Sequence, residues 1–155
     1  MTNPIEKKLA AMNIALPPSS APVANYVHYV LSGNMVFISG QLPMKDGKAL
    51  ASGQVGKGCT VEEAQAAARQ CGINMLSHLK VACGGDLSRV KRCVKLGVFV
   101  NSGADFTDQP KVANGASDFI VEVFGDAGKH ARAAVGVSQL PFGVAVEVDG
   151  IFEIG

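Results

Sequence analysis

The sequence predicts an α+β domain in which two helices lie on one face of a mixed sheet. Three observations predict it. Several segments alternate apolar and polar residues or run apolar without a break, as strands do. Two longer segments repeat small or apolar residues at helical spacing. The elements follow the order strand, strand, helix, strand, helix, strand, strand, and such a mixed run gathers its helices on one face of a sheet. A chain of 155 residues suits a single domain, divided here into an N-terminal arm over 1–25 and a core over 26–155.

The arm opens with a short amphipathic helix over Pro4–Met12. Asn3 supplies its cap and Pro4 suits its first turn, while Ile5, Leu9 and Met12 share one face. Pro17, Pro18 and Pro22 then hold the chain extended, because a proline disfavours helix in the residue before it. Tyr26–Val30 and Met35–Ser39 read as strands joined at Ser32-Gly33-Asn34. Residues 43–58 carry Gly47, Gly53, Gly56 and Gly58 and read as a loop with room for one edge strand. Thr60-Val61-Glu62-Glu63 is a capping box. Ala64, Ala67, Ala68, Cys71, Met75 and Leu79 follow it at helical spacing, so that helix runs to about Ala82 and stops at Gly84-Gly85. Val90–Asn101 is a strand, Pro110–Phe124 a second helix ending near Gly125, and Arg132–Ser138 and Val144–Ile154 are the last two strands, turned at Gln139-Leu140-Pro141-Phe142-Gly143.

Composition narrows the function classes. Hydrophobic residues make up 48% of the chain and charged residues 17%, with a formal net charge of +1. An average soluble protein carries about 25% charge, so a surface this apolar hints at coverage by further copies of the chain. The most basic stretch, Arg89–Lys95, alternates with apolar residues as a half-wet strand does, and aromatic residues total 6% with no tryptophan. Neither feature makes a nucleic-acid surface. No stretch approaches the length of a membrane span, and the mixed-charge start lacks the apolar run of a signal peptide. Cys59, Cys71, Cys83 and Cys93 form no C-x-x-C pair and have no histidine at zinc-ligand spacing. Free thiols in the cytoplasm, with no metal, are the simplest expectation.

Few residues carry candidate chemistry. Arg132 enters an apolar strand in His130-Ala131-Arg132-Ala133-Ala134-Val135. Its planar fork suits a carboxylate, whether that of a ligand or of a structural Asp or Glu. Glu147 and Asp149 stand two apart on one strand and share a face, which serves acid–base work or is simply a solvated strand face. Ser39-Gly40-Gln41 ends a strand in a glycine that either lets a ligand approach the backbone or makes a turn. His28, His78 and His130 read as structural. Cys93 beside Arg92 is a weak thiolate candidate. There is no G-x-S-x-G, P-loop or dinucleotide fingerprint.

Together these segments resemble the reactive intermediate deaminase family, also called RidA, YjgF-like or L-PSP endoribonuclease-like. The resemblance covers about Ala21–Ile154. It rests on Ala21-Pro22-Val23-Ala24-Asn25-Tyr26, on Gly33-Asn34-Met35-Val36-Phe37-Ile38-Ser39-Gly40-Gln41-Leu42-Pro43, on Asp105-Phe106, and on Ala131-Arg132-Ala133-Ala134-Val135 followed by Leu140-Pro141 and Val146-Glu147-Val148. The longer arm and Asp105–Pro110 look like a longer-chain branch of that family. The resemblance implies a chorismate-mutase-like, ferredoxin-like sheet and a homotrimer with an inner barrel and sites at the subunit clefts. It implies hydrolysis of enamines and imines such as 2-aminoacrylate and 2-iminopropanoate to 2-oxo acids and ammonia, without a cofactor. Arg132 would then hold the substrate carboxylate and Glu147 would orient or activate the water. Tyr26, Ser39 and Gly40 would line the cleft, with Asn114 approaching it, and Asp149 would be structural. Many members carry a cysteine where this chain has Ala134, so no thiol chemistry is expected there. A binding or regulatory protein for small carboxylates is the alternative. Endoribonuclease activity fits the composition least.

Overall fold

In the computed structural model of the chain, residues 3–19 and 24–155 are described. The segment Ala21-Pro22-Val23, part of the first family motif, lies outside them. Each element forms where its local chemistry directs. Asn3 accepts a hydrogen bond from the Glu6 amide and starts α1 (Pro4–Ala11), whose Leu9 is buried. The hairpin β1 (Tyr29–Ser32) and β2 (Met35–Gln41) closes on Gly33 at φ 62°, a left-handed conformation that costs glycine little. The first strand therefore starts at Tyr29 rather than Tyr26. The register is counted back from the turn, Ser32 opposite Met35 and Tyr29 opposite Ile38, and Ser39 binds residues 27 and 28 outside the ladder.

The glycine-rich stretch makes no edge strand of the main sheet. It folds into two small pairs, β3 (Met44–Lys45) with β4 (Lys48–Ala49) and β5 (Gln54–Val55) with β6 (Gly58–Cys59). The capping box of Thr60 and Glu63 is fully formed and starts α2 (Val61–Ala82). Then come β7 (Val90–Asn101), α3 (Gln109–Phe124), β8 (Ala131–Val137) and β9 (Val146–Ile154). Residues 144 and 145, expected in the last strand, lie before it: the Asn101 side chain donates to the Val144 carbonyl and the Ala145 amide binds the Ala51 carbonyl.

The main sheet runs β1-β2-β9-β7-β8. Strand β9 is antiparallel to both β2 and β7, so the last strand slides between two parallel ones. This is the split βαβ of ferredoxin-like folds. Helices α2 and α3 cover one face. They approach closely because side chains are small where they meet: a Cβ on Gly115 would run into the Gln65 backbone, and one on Gly72 would crowd the Phe119 ring. Leu96, Val98, Val148 and Phe152 from the sheet and Met75, Leu79 and Phe119 from the helices are almost completely buried between the layers. On the opposite face Val30, Phe37 and Val135 are exposed.

Candidate active site

The positions of Arg132 and Glu147 follow from strand register. Arg132 stands opposite Leu96, which is fully buried under the helices, so its side chain leaves β8 on the helix-covered side at the edge of the sheet. Glu147 stands opposite Phe99, and Phe99 opposite Val135. Phe99 is an odd number of residues from Leu96, so Glu147 leaves β9 on the open side. Two strand spacings and three residues along the chain put their backbones about 14 Å apart. One chain does not bring the two residues together.

Around Arg132 the partners are neutral. Its Nη1 donates to Asn114 Oδ1 at 2.9 Å and to Ser117 Oγ at 3.1 Å, both on α3. Among the described residues it has no carboxylate partner, so the structural ion pair does not exist there. Both bonds use one nitrogen, and the rest of the exposed fork remains for a ligand. Behind Ser117 stands His130. Its Nδ1 lies 2.6 Å from the Gly128 carbonyl, which only accepts, so Nδ1 carries the proton. In the neutral ring Nε2 then accepts from the Ser117 hydroxyl at 2.8 Å, and the Ser117 oxygen accepts from Arg132. His130, which the sequence reads as merely structural, orients the hydroxyl that orients the arginine. The pattern of α3 held no sign of this, since Ser117 meets His130 only once the helix lies on β8.

On the open side Glu147 and Asp149 share a face, as their spacing predicts. Each carboxylate sits over a glycine: a Cβ on Gly40 would collide with Glu147, and one on Gly97 would collide with Asp149. Partial burial pushes the Glu147 carboxyl above the usual range, and the Asp149 charge adds to the effect. Burial raises Asp149 as well, against the lowering by the Gly97 backbone and Lys95. Gly40 lies within an interruption of the β2–β9 register between Ile38 and Gln41. Side chains fix that interruption, with Ser39 Oγ donating to the Val27 carbonyl at 2.6 Å and Gln41 Nε2 donating to the Ser39 carbonyl at 2.8 Å. Tyr26 and Gly40 line one cavity of about 290 Å³. The structure thus separates the sequence-derived candidates into two sets: Arg132 with Asn114 at the α3–β8 edge, and Tyr26, Ser39, Gly40 and Glu147 near β2.

The cysteines stand apart from both sets. All four are free and buried, and burial pushes the Cys93 thiol up to about 12, so the thiolate suggested by Arg92 does not form at neutral pH. Among the described residues no three His, Cys, Asp or Glu side chains are arranged to hold a metal ion, and no helix is long and apolar enough to cross a membrane.

A family profile described as "YjgF/chorismate_mutase-like, putative endoribonuclease" matches residues 6–149. The chain is 54% identical over 151 residues to Protein TCP17 of Trypanosoma cruzi, covering 97% of this chain and 94% of that one. It is 30% identical over 141 residues to a 2-iminobutanoate/2-iminopropanoate deaminase of Dermatophagoides farinae, covering 91% and 94%. Among solved structures, the Agrobacterium tumefaciens protein Atu1372, of unknown function, superposes with a TM-score of 0.89 at 46% identity over 97% of this chain and 91% of that one.

Proposed function

From the premise that this chain belongs to the YjgF/chorismate mutase-like family, we propose that it hydrolyses reactive enamine and imine acids of the 2-aminoacrylate and 2-iminopropanoate type to 2-oxo acids and ammonia. The observation that carries this reading is Arg132, an exposed guanidinium aligned by two neutral oxygens and free of carboxylates among the described residues. That arrangement is built for an incoming carboxylate, and Asn114 stands beside it. A relative named as a deaminase of the same substrate type supports it. No cofactor is needed.

The chemistry asked of the protein is modest. With the substrate carboxylate on Arg132, water adds to the imine carbon. Glu147 takes a proton from that water and gives it to the imine nitrogen, which forms the carbinolamine. It then takes the hydroxyl proton and passes it to the amine, which leaves as ammonia while the carbonyl of the 2-oxo acid forms. A carboxyl held above its ordinary range is the better proton carrier for both steps. Tyr26, Ser39 and Gly40 form the wall beside Glu147.

Arg132 and Glu147 lie on opposite faces, so the working site takes Arg132 from one copy and Glu147 from another. The unpaired edge of β8 and the exposed apolar residues of the open face support association of copies, and a homotrimer closed around the open faces satisfies both. Complementation tests this directly. Arg132→Ala and Glu147→Gln chains, each inactive alone, regain about a quarter of wild-type ammonia release when mixed, unfolded and reassembled in equal amounts, because random neighbours place both native residues in one site in four. Mixtures as inactive as their parents would refute the shared site. A wild-type protein that releases no ammonia from freshly generated 2-iminopropanoate would refute the deaminase.

A further inference from the structure

The cavity beside Gly40 contains more polar chemistry than imine hydrolysis requires. Its lining includes Tyr26, His28, Asn74, Ser77 and His78, with Pro17 and Pro18 of the arm. The His28 and His78 rings are stacked, 4.1 Å between centroids and 15° from parallel, and Tyr26 meets His28 edge-on. Ser19 Oγ pairs with His78 Nδ1 at 2.7 Å and ties the arm to the stack. Burial, with His28 alongside, lowers the His78 ring to about 4, so that ring is neutral at physiological pH. Asn74 is fully occupied, donating to the Leu42 and Met44 carbonyls and accepting from Gln70. Two polar atoms of this lining are left over. His28 Nε2 and Ser77 Oγ are buried without a hydrogen-bond partner among the described residues, and Ser77 is only 5% exposed.

A buried polar atom without a partner is destabilising, so two on residues that line one chamber of small-molecule size mark a place where something else supplies the bonds. The lining has no lysine, arginine, aspartate or glutamate. A second carboxylate or an ammonium would be buried there without a counter-charge. A hydroxyl or carboxamide both donates and accepts, and it fits a serine hydroxyl and an imidazole nitrogen equally well. We infer that this chamber is the side-chain pocket of the site, and that it selects 2-imino and 2-oxo acids carrying a neutral hydrogen-bonding side chain over aliphatic ones of the same size. What enters the chamber rests on the deaminase reading; the chamber's preference does not depend on turnover.

The matched pair for the test is homoserine and norvaline, whose side chains differ by a hydroxyl in place of a methyl. Binding of 4-hydroxy-2-oxobutanoate and of 2-oxopentanoate to the full-length protein is measured by calorimetry. Hydrolysis of the imines that an L-amino-acid oxidase generates from homoserine, norvaline and alanine is followed alongside. The hydroxylated member is favoured at least about tenfold in affinity and in kcat/KM. Ser77→Ala, and separately His28→Phe, which keeps a ring in the stack, bring that ratio toward one, with melting temperatures confirming the fold of each. Equal affinity for the two oxo acids, or binding of neither, overturns the inference even if the alanine-derived imine is hydrolysed rapidly. A binding preference with no hydrolysis of any imine leaves the pocket standing and removes the deaminase.

Discussion

The two faces of the main sheet are made from the same alternating strands and end in different states. On the helix side every position on β9, from Val146 to Ile154, is buried, and small residues let α2 and α3 approach each other closely above it. On the open side Phe37 and Val135 remain 44% and 45% exposed, and the same rows carry Glu147 and Asp149. The buried face accounts for the fold of one chain. The open face leaves large apolar side chains uncovered, and Glu147, the proposed proton carrier, sits there.

The largest effect that can break this contrast is on stability. Leu96→Ala on the closed face costs about 2–5 kcal/mol by urea unfolding, whereas Phe37→Ala costs under about 1 kcal/mol when the protein is dilute enough to be monomeric, and instead shifts sedimentation toward the free chain. Equal costs in dilute solution would mean that the open face is already packed.

Next in size is a test of the edge between the faces. Lysine at position 132 keeps the charge but loses the planar fork. Arg132→Lys lowers kcat/KM for 2-iminopropanoate by about ten- to several-hundredfold, close to the loss in Arg132→Ala. A fully active lysine variant would make Arg132 a structural cation.

The smallest effect sharpens the contrast by pH. Glu147 titrates above the ordinary carboxylate range in the folded chain. Between the unfolded and folded values the native state holds a proton that the unfolded state lacks. Stability therefore falls as pH rises through that window and returns as pH falls. Glu147→Gln is more stable than wild type at neutral pH, and its unfolding midpoint depends less on pH from mildly acidic to neutral solution, Asp149 keeping part of the slope. Parallel pH curves for the two proteins would place Glu147 in an ordinary solvated setting.

Much of this architecture was legible in the residues. The strand over Val90–Asn101 and the helix capped by Thr60 lie where alternation and the capping box put them, because each is specified by its own neighbours. The start of β1 was not, since pairing is set by the turn at Gly33 and by the Ser39 contacts rather than by the apolar run from Tyr26. Arg132 stood out as a lone cation in an apolar strand. Its alignment through Ser117 and His130 did not, and neither did the stacking of His28 on His78, because each joins residues that only the packing of a helix on the sheet brings together.

Gly40 and Gly97 carry no functional group, yet each leaves the notch in which a carboxylate lies. A single methyl at Gly40 would evict Glu147 from its seat without removing one polar atom. A search for this protein's vulnerable positions that scores only acids, bases and nucleophiles would pass over it, although a Gly→Ala replacement there, among the mildest changes the genetic code allows, displaces the glutamate.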